Sequence, residues 1–137
     1  MNYIIYNQPD GVAAVVIPTG AVPIEEVIKT AVPAGVTHAV VPVESIPWGS
    51  EFRNAWTLKG KAVEHDMTKA KAIAHDRRRA ARAEEFAPLD DIISKRIPGT
   101  TAEEAEASRQ RIRDKYAKQQ AGIDAATTVD QLKEALK

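Results

Sequence analysis

The chain has 137 residues, the length of one ordinary domain or of a small domain with a helical extension. Its 19 lysines and arginines balance its 19 aspartates and glutamates, which excludes a uniformly basic nucleic-acid-binding coat and an acidic tail as whole-chain descriptions. It has no cysteine, which excludes disulfides and cysteine-bound metal centres, and only 5% aromatic residues, so we expect a thin core.

The first fifty residues carry the pattern of short strands around one short helix. Residues 3–6 and 12–17 are rich in β-branched and aromatic side chains and flank a Pro-Asp-Gly turn, which predicts a β-hairpin. Pro23 favours the start of a helix over 24–31, and residues 37–43 read as a third strand. The order β-β-α-β predicts a small sheet with one helix across a face. About 50 residues bury too little surface to be stable alone.

An aromatic joint follows this small unit. Phe52 and Trp56 are four residues apart and would share one face of a helical turn. Residues 57–64 are compatible with either a second small hairpin or an extended connector. We therefore predict a head at 1–56, a connector at 57–66 and a helical region at 67–137.

The helical region begins with a long first arm. Asp66 or Thr68 can cap a helix that starts near Met67 and contains few β-branched residues. Pro88 lies inside the pattern, and because proline lacks an amide donor we expect a kink or a restart there. Pro98 and the glycine after it end this arm.

Two capping signals open the remaining helices. Thr101 and Glu104 form a T-x-x-E capping box, and Thr128 with Gln131 resembles a second one. Arms of about 25–30 residues correspond to a hairpin of about 40 Å at 1.5 Å rise per residue. The predicted fold class is α+β: a small N-terminal β-β-α-β unit, a long antiparallel α-helical hairpin and a short C-terminal helix.

No residue pattern in the chain predicts catalysis or metal binding. His65 and His75 are ten residues apart, whereas helical ligands are spaced by three or four, and His38 reads as a partly exposed strand residue. Adjacent carboxylates do not face each other on a helix, so the four acidic pairs predict no acid/base dyad. No nucleophile elbow, P-loop, dinucleotide fingerprint or zinc-protease motif occurs. We expect a non-enzymatic protein with no cofactor and no small-molecule substrate. The acidic pairs are Glu25-Glu26, Glu84-Glu85, Asp90-Asp91 and Glu103-Glu104.

The strongest local charge is a basic stretch on the first arm. It could contact phosphate or an acidic protein surface, or it could be a solvated helix face paired with nearby acids. We favour the face or a protein partner over nucleic acid, because the stretch has no aromatic residue for base stacking. A DNA-binding regulator remains the alternative, and a steep salt dependence would reveal it. The candidate basic patch comprises Lys69, Lys71, Arg77, Arg78, Arg79 and Arg82.

The hairpin itself indicates assembly. Its sparse apolar stripe buries little surface, so we expect it to be completed by another copy or a partner, although packing back on the small sheet is the alternative. No apolar run approaches the roughly 18 residues of a membrane span, and the N-terminus lacks the basic flank of a signal peptide. We expect a soluble, non-secreted protein. The predicted partner-binding residues are Trp48, Phe52, Arg53, Trp56, Ile112 and Tyr116.

Three segments resemble a family of small bacteriophage proteins. The first is the proline at 47 followed by the F-R-x-A-W element at 52–56. The second is the helix K-A-x-x-I-x-x-D-x-x-R-x-x-R at 69–82, and the third is the closing segment 123–132. The chain departs from the family at residues 48–51, where an acidic-Arg pair is common, and at its last residue, which is not aromatic.

The resemblance implies a role in the virion or its assembly, because members of this family are encoded among tail and tail-fibre genes. It suggests a virion structural protein, a tail or tail-fibre adaptor that is made in the host bacterial cytoplasm and resides in the tail region. Its partners would be phage tail or tail-fibre proteins, together with further copies of itself in a homo-oligomer. The alternative is a tail-fibre assembly chaperone that is absent from the mature virion.

Overall fold

The computed structural model describes all residues, 1–137, and confirms the mixed α+β class. Small antiparallel sheets at the N-terminus precede long helices and a short C-terminal helix. The chain divides into two compact units, Met1–Ala70 and Lys71–Lys137. The elements are β1 Asn2–Asn7, β2 Ala13–Val16, α1 Ile24–Ala31, β3 His38–Pro42, β4 Trp56–Lys59, β5 Ala62–His65, α2 Met67–Lys95, α3 Ala102–Ala125 and α4 Val129–Ala135.

The first unit contains a three-stranded sheet of order β2-β1-β3, with β1 antiparallel to both neighbours. The predicted first hairpin is confirmed, and its turn is closed by the Val12 amide donating to the Asp10 carboxylate at 2.9 Å. Gly11 has a φ of +83°, a backbone conformation that favours glycine. The start of α2 is held to the same turn, because the Lys69 ammonium donates to the Asp10 carbonyl.

Residues of the predicted connector form a second sheet. Strands β4 and β5 pair with Trp56 opposite His65 and Leu58 opposite Val63, so the hairpin alternative is the observed one. Residues 57–66, the predicted connector, belong to the same compact unit as the predicted head. The physical reason is burial, because Leu58 joins the core of the three-stranded sheet. That core consists of Ile5, Ala13, Ala39, Val41, Ile46, Trp56 and Leu58.

One side chain connects the two sheets by hydrogen bonds. The Asn7 amide nitrogen donates to the Leu58 carbonyl at 3.0 Å, and the Leu58 amide donates to the Asn7 side-chain oxygen at 2.7 Å. The Asn7 carboxamide thus satisfies both backbone groups of one residue, as a neighbouring strand would. A further backbone bond, from the Asp66 amide to the Ala55 carbonyl at 2.7 Å, closes the base of the second hairpin.

The opposite face of the three-stranded sheet is covered at its centre. Ile4 has no exposed surface, although it lies on the face away from the core described above. Helix α1 carries apolar side chains at the 3-4 spacing of one face, and these are half-buried. Packing of this helix across the sheet stays a prediction. The stripe consists of Ile24, Val27, Ile28 and Ala31.

The second unit is an antiparallel pair of helices. Helix α2 runs without interruption through Pro88, so the expected restart does not occur. Proline removes one intrahelical hydrogen bond, and α2 contacts α3 on both sides of it. These contacts are the ion pairs of Glu85 with Lys115 at 2.9 Å and of Asp90 with Arg109 at 3.3 Å.

Both predicted caps of the later helices are present. The Glu104 amide donates to the Thr101 hydroxyl while the Glu104 side chain accepts from the Thr101 amide, so the capping box at α3 is complete. At α4 the Gln131 amide donates to the Thr128 hydroxyl at 3.2 Å. Helix α4 packs on α3 at Gly122, where an added Cβ would lie 3.1 Å from the Ala135 Cβ.

We expect Asn7→Ala to lower the free energy of unfolding of the first unit by about 1–3 kcal/mol, because both Leu58 backbone groups lose their partner. Asn7→Asp keeps the acceptor for the Leu58 amide but sets a second carboxylate oxygen against the Leu58 carbonyl, so it should destabilise the unit as well. Both tryptophans lie in this unit, so urea denaturation followed by tryptophan fluorescence measures it. Asn2→Ala, an exposed position on the same strand, is the matched control. Equal stabilities of the Asn7→Ala and Asn2→Ala variants would contradict the role of the Asn7 amide.

Candidate partner-binding surface

The exposed feature of the first unit is the Trp48 indole. Its side chain is 56% exposed, yet its Nε1 donates to the Val43 carbonyl at 2.9 Å. The ring stands edge-on to two other aromatics, with centroids 6.0 Å from Tyr3 and 6.0 Å from Trp56. Edge-to-face pairs at this distance are favourable, by about 0.5–1.5 kcal/mol each beyond burial. Trp48 is therefore accessible and at the same time held in one orientation.

Trp56 is the buried end of the same aromatic series. It is only 2% exposed, and the Arg53 guanidinium carbon lies 4.4 Å from the centre of its ring. A short 3-10 turn over Arg53–Ala55 positions both residues. Phe52 precedes this turn and is buried, so the expected single α-helical turn carrying Phe52 and Trp56 is replaced by a 3-10 turn that leads directly into β4.

The fold brings a missed residue, Tyr3, into contact with the predicted set. Tyr3 lies opposite Val41 on the core side of the sheet and carries the edge-on contact with Trp48. The sequence shows that Tyr3 alternates with Ile5 along β1 and so faces the same side. Its contact with Trp48, 45 positions later, depends on the path of the chain after β3. We name Tyr3, Trp48, Arg53 and Trp56 the aromatic platform.

Two exposed aliphatic residues border the aromatic platform. Alternation from Ala13 and Val15 places Ile17 on the side of the sheet that carries Tyr3, and alternation from Tyr3 places Met1 on that side as well. Both are exposed, at 56% for Ile17 and 78% for Met1. Together with Trp48, these residues place three large exposed apolar side chains on one side of the sheet. Such a grouping is typical of an interaction surface.

The other two predicted contact residues lie in the second unit. Tyr116 is buried in the hairpin, and its hydroxyl hydrogen-bonds to Glu85, whereas Ile112 is half-buried. Burial, together with the bond to Glu85, raises the pKa of Tyr116. Tyr116 therefore contributes to the interior of the hairpin rather than to an exposed surface.

Several residues of the candidate basic patch already bind other groups of the same chain. Lys69 is bound to the Asp10 carbonyl, and Lys71 donates to the Asp124 carbonyl at 2.9 Å. Arg79 pairs with Asp76 at 2.7 Å on the same helix face. Of the remaining members, the Arg82 guanidinium lies 4.8 Å from the centre of the Phe86 ring, Arg78 is half-buried, and Arg77 also has an interaction within the chain.

The histidines do not assemble with acidic residues into a metal site. No group of three or more histidine or carboxylate side chains is close enough to hold a metal ion. His75 instead hydrogen-bonds to the Asp124 carboxylate, with Nε2 and Oδ1 2.8 Å apart. His38 is exposed at the start of β3.

Comparisons with known proteins identify no relative of the chain. No protein-family model matches it, and neither a curated protein nor a solved structure does. None of the helices combines the length and the apolar content that crossing a membrane requires. The aromatic platform and the sequence resemblance therefore remain as the features that point to a function.

We expect most of the quenchable fluorescence to come from Trp48. Because Trp48 is exposed and Trp56 is buried, Trp48→Phe should remove the component that iodide quenches and leave a blue-shifted, weakly quenched emission. Trp56→Phe should leave the opposite, a red-shifted and readily quenched emission. Stern–Volmer titration of the two variants checks this, and equal quenching constants would contradict the exposed position of Trp48.

We expect the pH dependence of the stability of the helical hairpin to change when Lys115 is replaced. The hydrogen bond from Lys115, followed by the one from Tyr116, lowers the pKa of Glu85 below its ordinary value of 4.5. A lowered carboxyl pKa stabilises the fold above the ordinary value, and this stabilisation is lost as the pH falls through the lowered value. Lys115→Met should move the pKa of Glu85 upward, and Lys118→Met should not. A carboxyl NMR titration measures both, and an unchanged Glu85 pKa in Lys115→Met would refute the assignment.

Proposed function

We propose that the chain is a non-enzymatic bacteriophage virion protein, a small tail or tail-fibre-associated adaptor that works by protein-protein assembly. The observation that carries the proposal is the exposed but oriented Trp48. Exposing a large aromatic forgoes the stabilisation of burying it, so its fixed orientation at the surface has to be explained. Tryptophan and arginine are enriched among the residues that dominate binding energy at interfaces, and Trp48 and Arg53 both contact Trp56.

The fixed orientation supports binding rather than chance exposure. A side chain that is already held by a hydrogen bond and two ring contacts loses little conformational entropy when a partner covers it. The aliphatic surface of Met1 and Ile17 would extend the covered area beyond one ring. The phage context comes from the resemblance at residues 52–56 and 69–82, which suggests tail or tail-fibre proteins as partners and the virion tail as the location.

The second unit fits the proposal through its composition. Two helices with only a few buried side chains leave most of their surface polar or half-buried, a state that packing in an oligomer or against a fibre would complete. We therefore include a homo-oligomer in the assembly as part of the proposal.

The test is quantitative mass spectrometry of purified virions of the phage that encodes the chain, with copies counted against the portal protein. We expect a small, constant copy number that matches the tail or fibre symmetry. In a phage lacking the gene, complementation with Trp48→Ala should reduce incorporation by about tenfold or more, as loss of a binding hot spot predicts. Ile97→Ala, another exposed apolar residue but in the loop after α2, is the control and should incorporate normally.

Two results would overturn this function. Absence of the chain from virions, together with its recovery bound to a fibre protein in infected cells, would identify an assembly chaperone instead. Normal incorporation of Trp48→Ala would show that assembly does not use the aromatic platform.

A further inference from the structure

We infer that the aromatic platform binds an extended peptide segment that presents one apolar side chain and, two residues away, a carboxylate. This inference deepens the proposed function and rests on it, since it specifies the chemistry of the partner that the adaptor would hold. Three observations carry it: the state of the indole nitrogens, the state of the Arg53 guanidinium and the distance between the two parts of the platform.

The exposed Trp48 ring presents carbon rather than a hydrogen-bond donor. The Trp48 Nε1 is already engaged with the Val43 carbonyl. The Trp56 Nε1 is buried, without access for a ligand. A group placed over Trp48 therefore meets ring carbon. An apolar side chain gains from this contact, whereas a polar group would lose its water without a replacement bond.

The guanidinium of Arg53 offers the opposite chemistry. It stacks over the Trp56 ring at 4.4 Å, and no carboxylate lies within ion-pair distance of it. Two of the other cations that contact aromatic rings in this chain hold a carboxylate as well: Arg113 binds Glu106 at 2.8 Å, and Lys115 binds Glu85 at 2.9 Å. Stacking orients the plane of the Arg53 guanidinium and leaves its edge, with a fork of N–H donors, for a carboxylate.

The distance between Trp48 and Arg53 determines how far apart the apolar side chain and the carboxylate of the ligand must be. Arg53 and Trp48 both contact the Trp56 ring, at 4.4 Å and 6.0 Å from its centre, so guanidinium and exposed ring lie about 10 Å apart at most. An extended chain advances about 3.3 Å per residue, and side chains two residues apart point the same way. A carboxylate two residues from the apolar anchor therefore reaches Arg53 while the anchor covers Trp48.

The experiment uses the full-length chain and capped heptapeptides of glycine and serine. Each peptide carries one phenylalanine and, two residues later, glutamate, glutamine or lysine. Titration is followed by NMR through the two indole N–H signals and the Arg53 side-chain N–H signal. We expect the glutamate peptide to shift the Trp48 and Arg53 signals with a Kd at least fivefold lower than that of the glutamine peptide, and the lysine peptide to bind more weakly still.

Variants of the chain test the source of this preference. Arg53→Gln should bind the glutamate and glutamine peptides equally, and Arg53→Lys should keep part of the preference because the charge remains. Lys61→Gln, which removes an exposed cation from the same unit, should keep it fully. The indole signals of the unbound variants report whether the platform is still folded.

Two outcomes would overturn the inference, and both are distinguishable from failure of the proposed function. If all three peptides bind alike at Trp48, the platform selects for apolar contact alone. If none of them shifts the Trp48 signal, the platform does not take an extended segment of this kind. In either case the virion incorporation of Trp48→Ala still decides the adaptor function independently.

Discussion

The organisation of the first unit depends on two hydrogen bonds that the Asn7 carboxamide makes. The carboxamide binds both backbone groups of Leu58, a residue 51 positions away, and so attaches a two-stranded hairpin to a three-stranded sheet. The two-stranded sheet would be marginal in water on its own. Joined, the two sheets enclose a shared core that includes Ile5 and the fully covered Trp56 ring.

The position of the aromatic platform follows from that attachment. Trp56 is the first residue of β4 and is buried once β4 is in place. The Trp48 ring then makes edge-to-face contacts with Trp56 and with Tyr3. Because the exposed Trp48 ring contacts the buried Trp56 ring, the packed core holds Trp48 in one orientation. The proposed adaptor function uses this property, because a partner then meets a surface that is already ordered.

The second unit is stabilised in a different way. Its buried side chains are few, and much of the contact between α2 and α3 is made by charged groups such as Glu85 with Lys115. Around Phe86, the guanidiniums of Arg82, Arg109 and Arg113 lie 4.8–6.0 Å from the ring centre. Exposed ion pairs contribute about 0–1 kcal/mol each, so these contacts define the antiparallel register of the helices more than they add stability.

Local chemistry in the sequence determined the elements, and tertiary packing decided how they meet. Strand alternation, Pro23 before α1 and the Thr101 capping box act within a few residues, so the fold class and most element bounds could be predicted. The cluster of Trp48, Arg53 and Trp56 could be anticipated because these residues are close in the chain. Tyr3 and Asn7 could not, since their partners are about 45 and 50 residues away. Which distant backbone group a side chain reaches depends on register and burial, and these exist only once the sheets have packed.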